Sequence, residues 1–91
     1  MKICENGSCK VGTVLYFFGK EECPECKRLK ETLDSKKIIY AYFDIQTVEG
    51  LSKAAYYNIF EVPVLLLVEN GKELKRWKEN FPIEEIEKHL Q

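Results

Sequence analysis

Val14-Leu15-Tyr16-Phe17-Phe18 leads through Gly19–Glu22 into Cys23-Pro24-Glu25-Cys26-Lys27-Arg28-Leu29-Lys30-Glu31-Thr32-Leu33, an apolar run that meets a helical pattern at two cysteines. The run is continuously hydrophobic rather than alternating, which predicts a central strand over residues 10–18, covered on both faces. Pro24 loses no hydrogen bond at a first helical position, and its fixed φ suits a helix start. A helix is therefore predicted from Pro24 to about Ser35, with Cys26, Leu29 and Leu33 on one side. Two cysteines on its first turn can close a small disulfide ring and reopen it. The first thiol sits where unpaired N–H groups and the helix dipole favour a thiolate. The second lies one turn inward, placed to attack a mixed disulfide formed by the first.

The remaining elements follow from pattern and punctuation. Ile38–Asp44 is rich in β-branched and aromatic residues and reads as a strand. Val48–Asn58 reads as a helix with Leu51, Ala54, Ala55 and Tyr57 inward, although Gly50 weakens its start. Val62-Pro63 enters the apolar run Val64–Val68, where a proline is tolerated at the first position of a strand. Asn70-Gly71 marks a hairpin into a strand over Glu73–Trp77. A last helix starts near Pro82, with Ile83, Ile86 and Leu90 on one face. The order β-α-β-α-β-β-α predicts an α/β fold: a minimal four-stranded mixed sheet with helices on both faces. Its first two strands are expected parallel and its last two antiparallel.

Bulk composition narrows the function. The 91 residues allow one domain, and a net charge of -1 gives no electrostatic case for nucleic acid or an anionic membrane. The basic residues are interleaved with acidic ones, as in Lys72-Glu73-Leu74-Lys75-Arg76. No apolar run approaches the roughly 20 residues of a membrane span. The start, Met1-Lys2-Ile3-Cys4-Glu5-Asn6-Gly7, lacks the apolar stretch of a secretory signal, so the cytoplasm is the expected compartment; a monomer is also expected. Four cysteines in that compartment point to redox or metal chemistry. Residues 1–10 read as a leader carrying Cys4 and Cys9, which an Asn6-Gly7 hairpin would place opposite each other. They are either an incidental thiol pair or a second redox pair. A zinc site joining them to Cys23 and Cys26 is disfavoured, because the intervening strand spans roughly 25 Å.

Cys23-Pro24-Glu25-Cys26 after the first core strand, Val62-Pro63 entering the third, and Asn70-Gly71-Lys72 before the last helix stand in register. In these features the chain resembles the thioredoxin/glutaredoxin superfamily over residues 11–91, the expected domain. The resemblance implies a thiol–disulfide oxidoreductase, with Cys23 as exposed nucleophile and Cys26 as buried resolving thiol. It implies a cis bond at Val62-Pro63 beside the disulfide, and pairing of the Val62 backbone with an extended substrate. Pro24, Glu25 and Phe60 complete the expected substrate surface, core packing being the other account of Phe60. His89 lies far from Cys23 in such a fold and reads as a helix-dipole contact.

Two departures refine the expectation. The Gly-Gly pair with which glutaredoxins hold glutathione has no counterpart in Lys75-Arg76-Trp77-Lys78-Glu79-Asn80. Thioredoxins carry a buried Asp six positions before the first cysteine, where this chain has Phe17. Glu21, Glu22 and Glu25 oppose the thiolate that Lys20, Lys27 and Arg28 favour, so a reductant rather than a strong oxidant is expected. The resulting expectation is a reductant of protein disulfides, fed by a flavoprotein disulfide reductase, with no bound cofactor or metal. A glutathione-dependent glutaredoxin is the alternative. A thioredoxin-like metal-binding or electron-carrier module using all four cysteines is another.

Overall fold

The computed structural model describes residues 13–90. Three strands built from apolar or mixed runs, and a fourth of alternating charge, form one sheet. They are β1 (Thr13–Gly19), β2 (Ala41–Asp44), β3 (Val64–Glu69) and β4 (Lys72–Trp77). Between and after them lie α1 (Pro24–Ser35), α2 (Val48–Tyr56) and α3 (Ile83–Leu90). The strand order is β2-β1-β3-β4. β1 and β2 are parallel, Phe17 opposite Tyr42, while β1–β3 and β3–β4 are antiparallel. This is the expected α/β topology, with β1 and β3 central.

Side-chain alternation on β1 and β3 sorts the core into two halves. Leu15 and Phe17 of β1 and Leu65 and Leu67 of β3 pack with Leu29 and Leu33 of α1 and Ile86 of α3. Phe18, Val64, Leu66 and Val68 point to the other face, with Ala54, Tyr57 and Ile59. Both faces are covered, which is why these strands read as continuous apolar runs. The β3–β4 hairpin turns through Asn70 (φ 53°) and Gly71 (φ 83°), the left-handed pair that two-residue turns need. Its register slips at Leu67/Val68, leaving Leu74 half exposed.

The structure corrects the reading of α2. Its buried residues are Gly50 and Ala54, followed by Tyr57 just past the helix end, whereas Leu51 and Ala55 face outward. The cause is Gly50. A Cβ there would overlap the Asp44 backbone at the end of β2, so the helix turns its bare side to the sheet. Thr47 caps the helix by accepting the Gly50 N–H at 3.0 Å. The helix also ends at Tyr56 rather than Asn58, with Asn58 in a left-handed conformation (φ 58°). Arg76 of β4 holds that end, donating to the Tyr57 carbonyl at 2.6 Å. β2 is shorter than read, because residues 38–40 precede its paired segment.

Candidate active site

Gly19 ends β1 beside Asp44 of the parallel strand β2, and the chain then turns through Lys20–Glu22 to the start of α1. Cys23 is the N-cap of that helix, in extended conformation (φ -133°, ψ 100°), and Pro24 opens the first turn. An N-cap side chain is aimed at the free N–H groups of the turn. Here the Cys23 sulfur takes the place usually held by a hydroxyl or carboxylate, accepting the Cys26 N–H at 3.1 Å. Cys23 and Cys26 are joined in a disulfide with Cα atoms 5.1 Å apart.

The two sulfurs have different surroundings. Cys26 is 3% exposed, in the cluster containing Leu29, Leu33 and Phe17. Cys23 is 7% exposed, so the nucleophile expected to be open is largely covered in this oxidised form. It belongs to the same apolar cluster as Cys26, with Val62 packed against that cluster. The Val62–Pro63 peptide bond is cis, and Pro63 is buried while Val62 is partly covered. Pro24 and Glu25 are exposed on the first turn.

Two open features flank the segments that carry these residues, one next to the Val62–Pro63 bond and one along α1. Phe60 is 85% exposed, which removes core packing as its role, and it shares a shallow surface with Glu61, Val64, Arg76 and Lys78. On the other side, Glu25, Arg28 and Leu29 of α1 face Lys78, Asn80 and Phe81 across a polar cleft of about 570 Å³. His89 is on α3, 6.0 Å from the ring of Trp77 and 3.9 Å from Glu85. Trp77 and Tyr57 are core residues, while Tyr56 is 72% exposed and touches Tyr57 edge to face.

One neighbour of the disulfide was not visible in the sequence. A Cβ built on Gly19 would lie 3.2 Å from the Cys26 sulfur and 3.3 Å from the Tyr42 hydroxyl oxygen. Tyr42 is on β2, its ring edge-on to Phe17 at 5.2 Å. The signal available was the parallel pairing itself, which sets Tyr42 opposite Phe17, next to Gly19.

Among the described residues no cluster of three or more His, Cys, Asp or Glu side chains forms a metal site. Nor is any helix there long and apolar enough to cross a membrane. Cys4, Cys9 and the hairpin expected between them lie outside the described residues.

The arrangement supports thiol–disulfide exchange: a two-cysteine disulfide ring at a helix start, one sulfur capping the helix and the other within the core. Comparison with known proteins agrees with the geometry. A family model described as a thioredoxin-like domain matches residues 8–91. The chain is similar in structure to a mutant thioredoxin from Halobacterium salinarum, with TM-score 0.71 and 20% identity, over 86% of this chain and 71% of that one. It is similar to oxidised thioredoxin from Plasmodium falciparum, with TM-score 0.69 and 20% identity, over 88% and 83%. Thioredoxin 1 from Thermosipho africanus matches with TM-score 0.60 and 26% identity, over 84% and 92%. The fold, the site and the family model agree, and the chain belongs to the thioredoxin-like family.

Proposed function

We propose that this protein reduces protein disulfides through the Cys23/Cys26 dithiol, as a thioredoxin-type oxidoreductase independent of glutathione. The observation that carries the reading is the asymmetry of the two sulfurs. Cys23 caps α1 and accepts the Cys26 N–H, a contact that favours a thiolate and so a nucleophile. Cys26 is held behind it in the core, within reach of the mixed disulfide and away from competing thiols.

The Cys23 thiolate attacks one sulfur of the substrate disulfide. A Cys23–substrate bond forms, the substrate bond breaks, and the departing sulfur takes a proton from water. Cys26, as thiolate, then attacks the Cys23 sulfur and releases the second substrate thiolate, which is likewise protonated. Two electrons have passed to the substrate, and the protein is left as the Cys23–Cys26 disulfide. The substrate-facing surface in this reading consists of Val62, Pro63, Phe60, Pro24 and Glu25, of which Val62 packs against the cluster that holds both cysteines. A flavoprotein disulfide reductase returns the electrons. A thioredoxin f2 of similar fold (TM-score 0.70, 14% identity) is in complex with ferredoxin:thioredoxin reductase, which supports a dedicated protein reductase as the class of donor. The reaction needs no bound cofactor, and the function fits a cytoplasmic monomer.

The cleft between Glu25, Arg28, Lys78 and Asn80 favours a second reading, in which its cationic groups hold the carboxylates of glutathione. Insulin reduction separates the two, using thioredoxin reductase with NADPH against glutathione with glutathione reductase. The proposal expects turnover with the first system and its loss in Cys23→Ser. Turnover with glutathione alone selects the second reading. Failure of the wild type with both systems overturns both.

A further inference from the structure

The resolving step asks for a thiolate at Cys26, yet that sulfur lies in an apolar cluster where burial disfavours the charged form. The Cys26 N–H serves Cys23 and does nothing for its own sulfur. Among the described residues no Asp, Glu, Lys, Arg or His side chain is buried to act as a base or counter-charge. The polar side-chain atom that borders the same gap as the Cys26 sulfur is the hydroxyl of the partly exposed Tyr42. It shares with Cys26 the gap over Gly19, 3.3 Å and 3.2 Å from the point where a side chain at residue 19 would begin. Phe17 fixes the Tyr42 ring edge-on and supplies no titratable group.

We propose that the Tyr42 hydroxyl donates a hydrogen bond to the Cys26 thiolate when the disulfide ring opens, and that Gly19 is the window through which it reaches the sulfur. This rests on the dithiol reading above. In the mixed disulfide, Cys26 loses its proton to water and its thiolate is held by the Tyr42 O–H. It then attacks Cys23, the Cys23–substrate bond breaks, and the electron pair leaves on the substrate sulfur, which is protonated by water. Tyr42 keeps its proton throughout. The groups facing the hydroxyl favour this donor role. Partial burial raises its pKa, as do Asp44 of β2, Glu21 from the loop and Tyr40 just before β2, and Lys30 of α1 alone opposes them. At neutral pH the side chain is a neutral donor and not a base.

The test is Tyr42→Phe, which keeps the ring and its contact with Phe17, made alone and in a Cys23→Ser background. Alkylation of Cys26 by iodoacetamide is followed by mass spectrometry of its peptide across pH. Loss of one hydrogen bond to a charged group lowers the thiolate fraction at neutral pH about ten-fold, equivalent to about 1.4 kcal/mol. The expected result is that fall at Cys26, with unchanged alkylation of Cys23 in the single variant and an unchanged Tm. Gly19→Ala, whose methyl fills the gap, is expected to reproduce it with Tyr42 intact. Identical Cys26 profiles with and without the hydroxyl overturn the proposal. An equal fall at both cysteines with a lowered Tm also overturns it, by assigning the effect to the ring. Because alkylation needs no substrate or reductase, its result stands apart from insulin reduction, where failure would strike the dithiol reading instead.

Discussion

The Cys23 sulfur accepts the Cys26 N–H at the head of α1, whereas the Cys26 sulfur lies among Leu29, Leu33 and Phe17. In the proposed reaction that difference sets the order of events, and removing one sulfur at a time tests it. With Cys26→Ser the first attack still occurs, but no second thiol remains to break the Cys23–substrate bond. The expected product is a stable one-to-one adduct, seen on a non-reducing gel or by intact mass and released by dithiothreitol. Cys23→Ser is expected to give none, since Cys26 is 3% exposed. An adduct that forms equally through Cys26 would reverse the assignment. The spacing of the cysteines, and their place at a helix start, were legible in the sequence because proline and helical periodicity are local signals. The gap over Gly19 was not. It depends on a side chain from β2, and nothing near Gly19 in the chain announces Tyr42.

At the scale of elements, β3, β4 and α1 follow the sequence closely, because each is set by its own local pattern, whereas β2 is shorter than read. α2 departs further. Its Val48, Leu51, Ala54 and Ala55 fit more than one inward face, and the choice is made by Gly50 against the Asp44 backbone. A close backbone approach is a relation between two elements, so hydrophobic spacing within one of them is silent about it. Gly50→Ala forces α2 away from β2 and is expected to cost about 3 kcal/mol or more. That corresponds to a Tm lower by at least about 10 °C in a domain of this size. A Tm within a degree or two of wild type would mean that the helix is not seated on that glycine. The α3–β4 contact responds to pH instead. Lys75 donates to Glu85 at 2.9 Å and holds its carboxyl below the usual range, first by that hydrogen bond and then by charge. A pKa lowered on folding gives stability that is present above the unfolded value and lost as pH falls through the folded one. Wild type is therefore expected to exceed Glu85→Gln slightly in Tm at neutral pH, and the two curves to converge in acid. A difference that grew toward acid would contradict the ion pair. Both groups are about half exposed, so the effect is small and shrinks with salt.

Across the whole molecule, the residues that make the fold and those expected to meet a partner are separable. Cys26 shares one cluster with α1, β1, β3, β4 and α3, so the ring is mounted on the larger half of the core. Substitutions such as Leu33→Ala, at a site with no exposure, belong to stability and cost about 2–5 kcal/mol. Phe60 is the opposite case. It is 85% exposed between α2 and the Val62–Pro63 bond, and its ring adds little to the core. An exposed aromatic ring on a proposed substrate surface gains by being covered only when a partner arrives. Partial burial of that ring against a protein substrate is worth about 1 kcal/mol, or about five-fold in affinity. Phe60→Ala is accordingly expected to leave Tm unchanged and to raise KM for insulin about five-fold, with kcat little altered. A small aromatic disulfide reaches the Cys23 sulfur without covering residue 60, so its rate of reduction is expected to stay the same. Equal losses on both substrates would place Phe60 in the reaction rather than at its edge, and a fall in Tm would return it to the core. Unchanged kinetics on both would move the protein-binding surface elsewhere, with the cleft beside Glu25, Arg28 and Lys78 next in line.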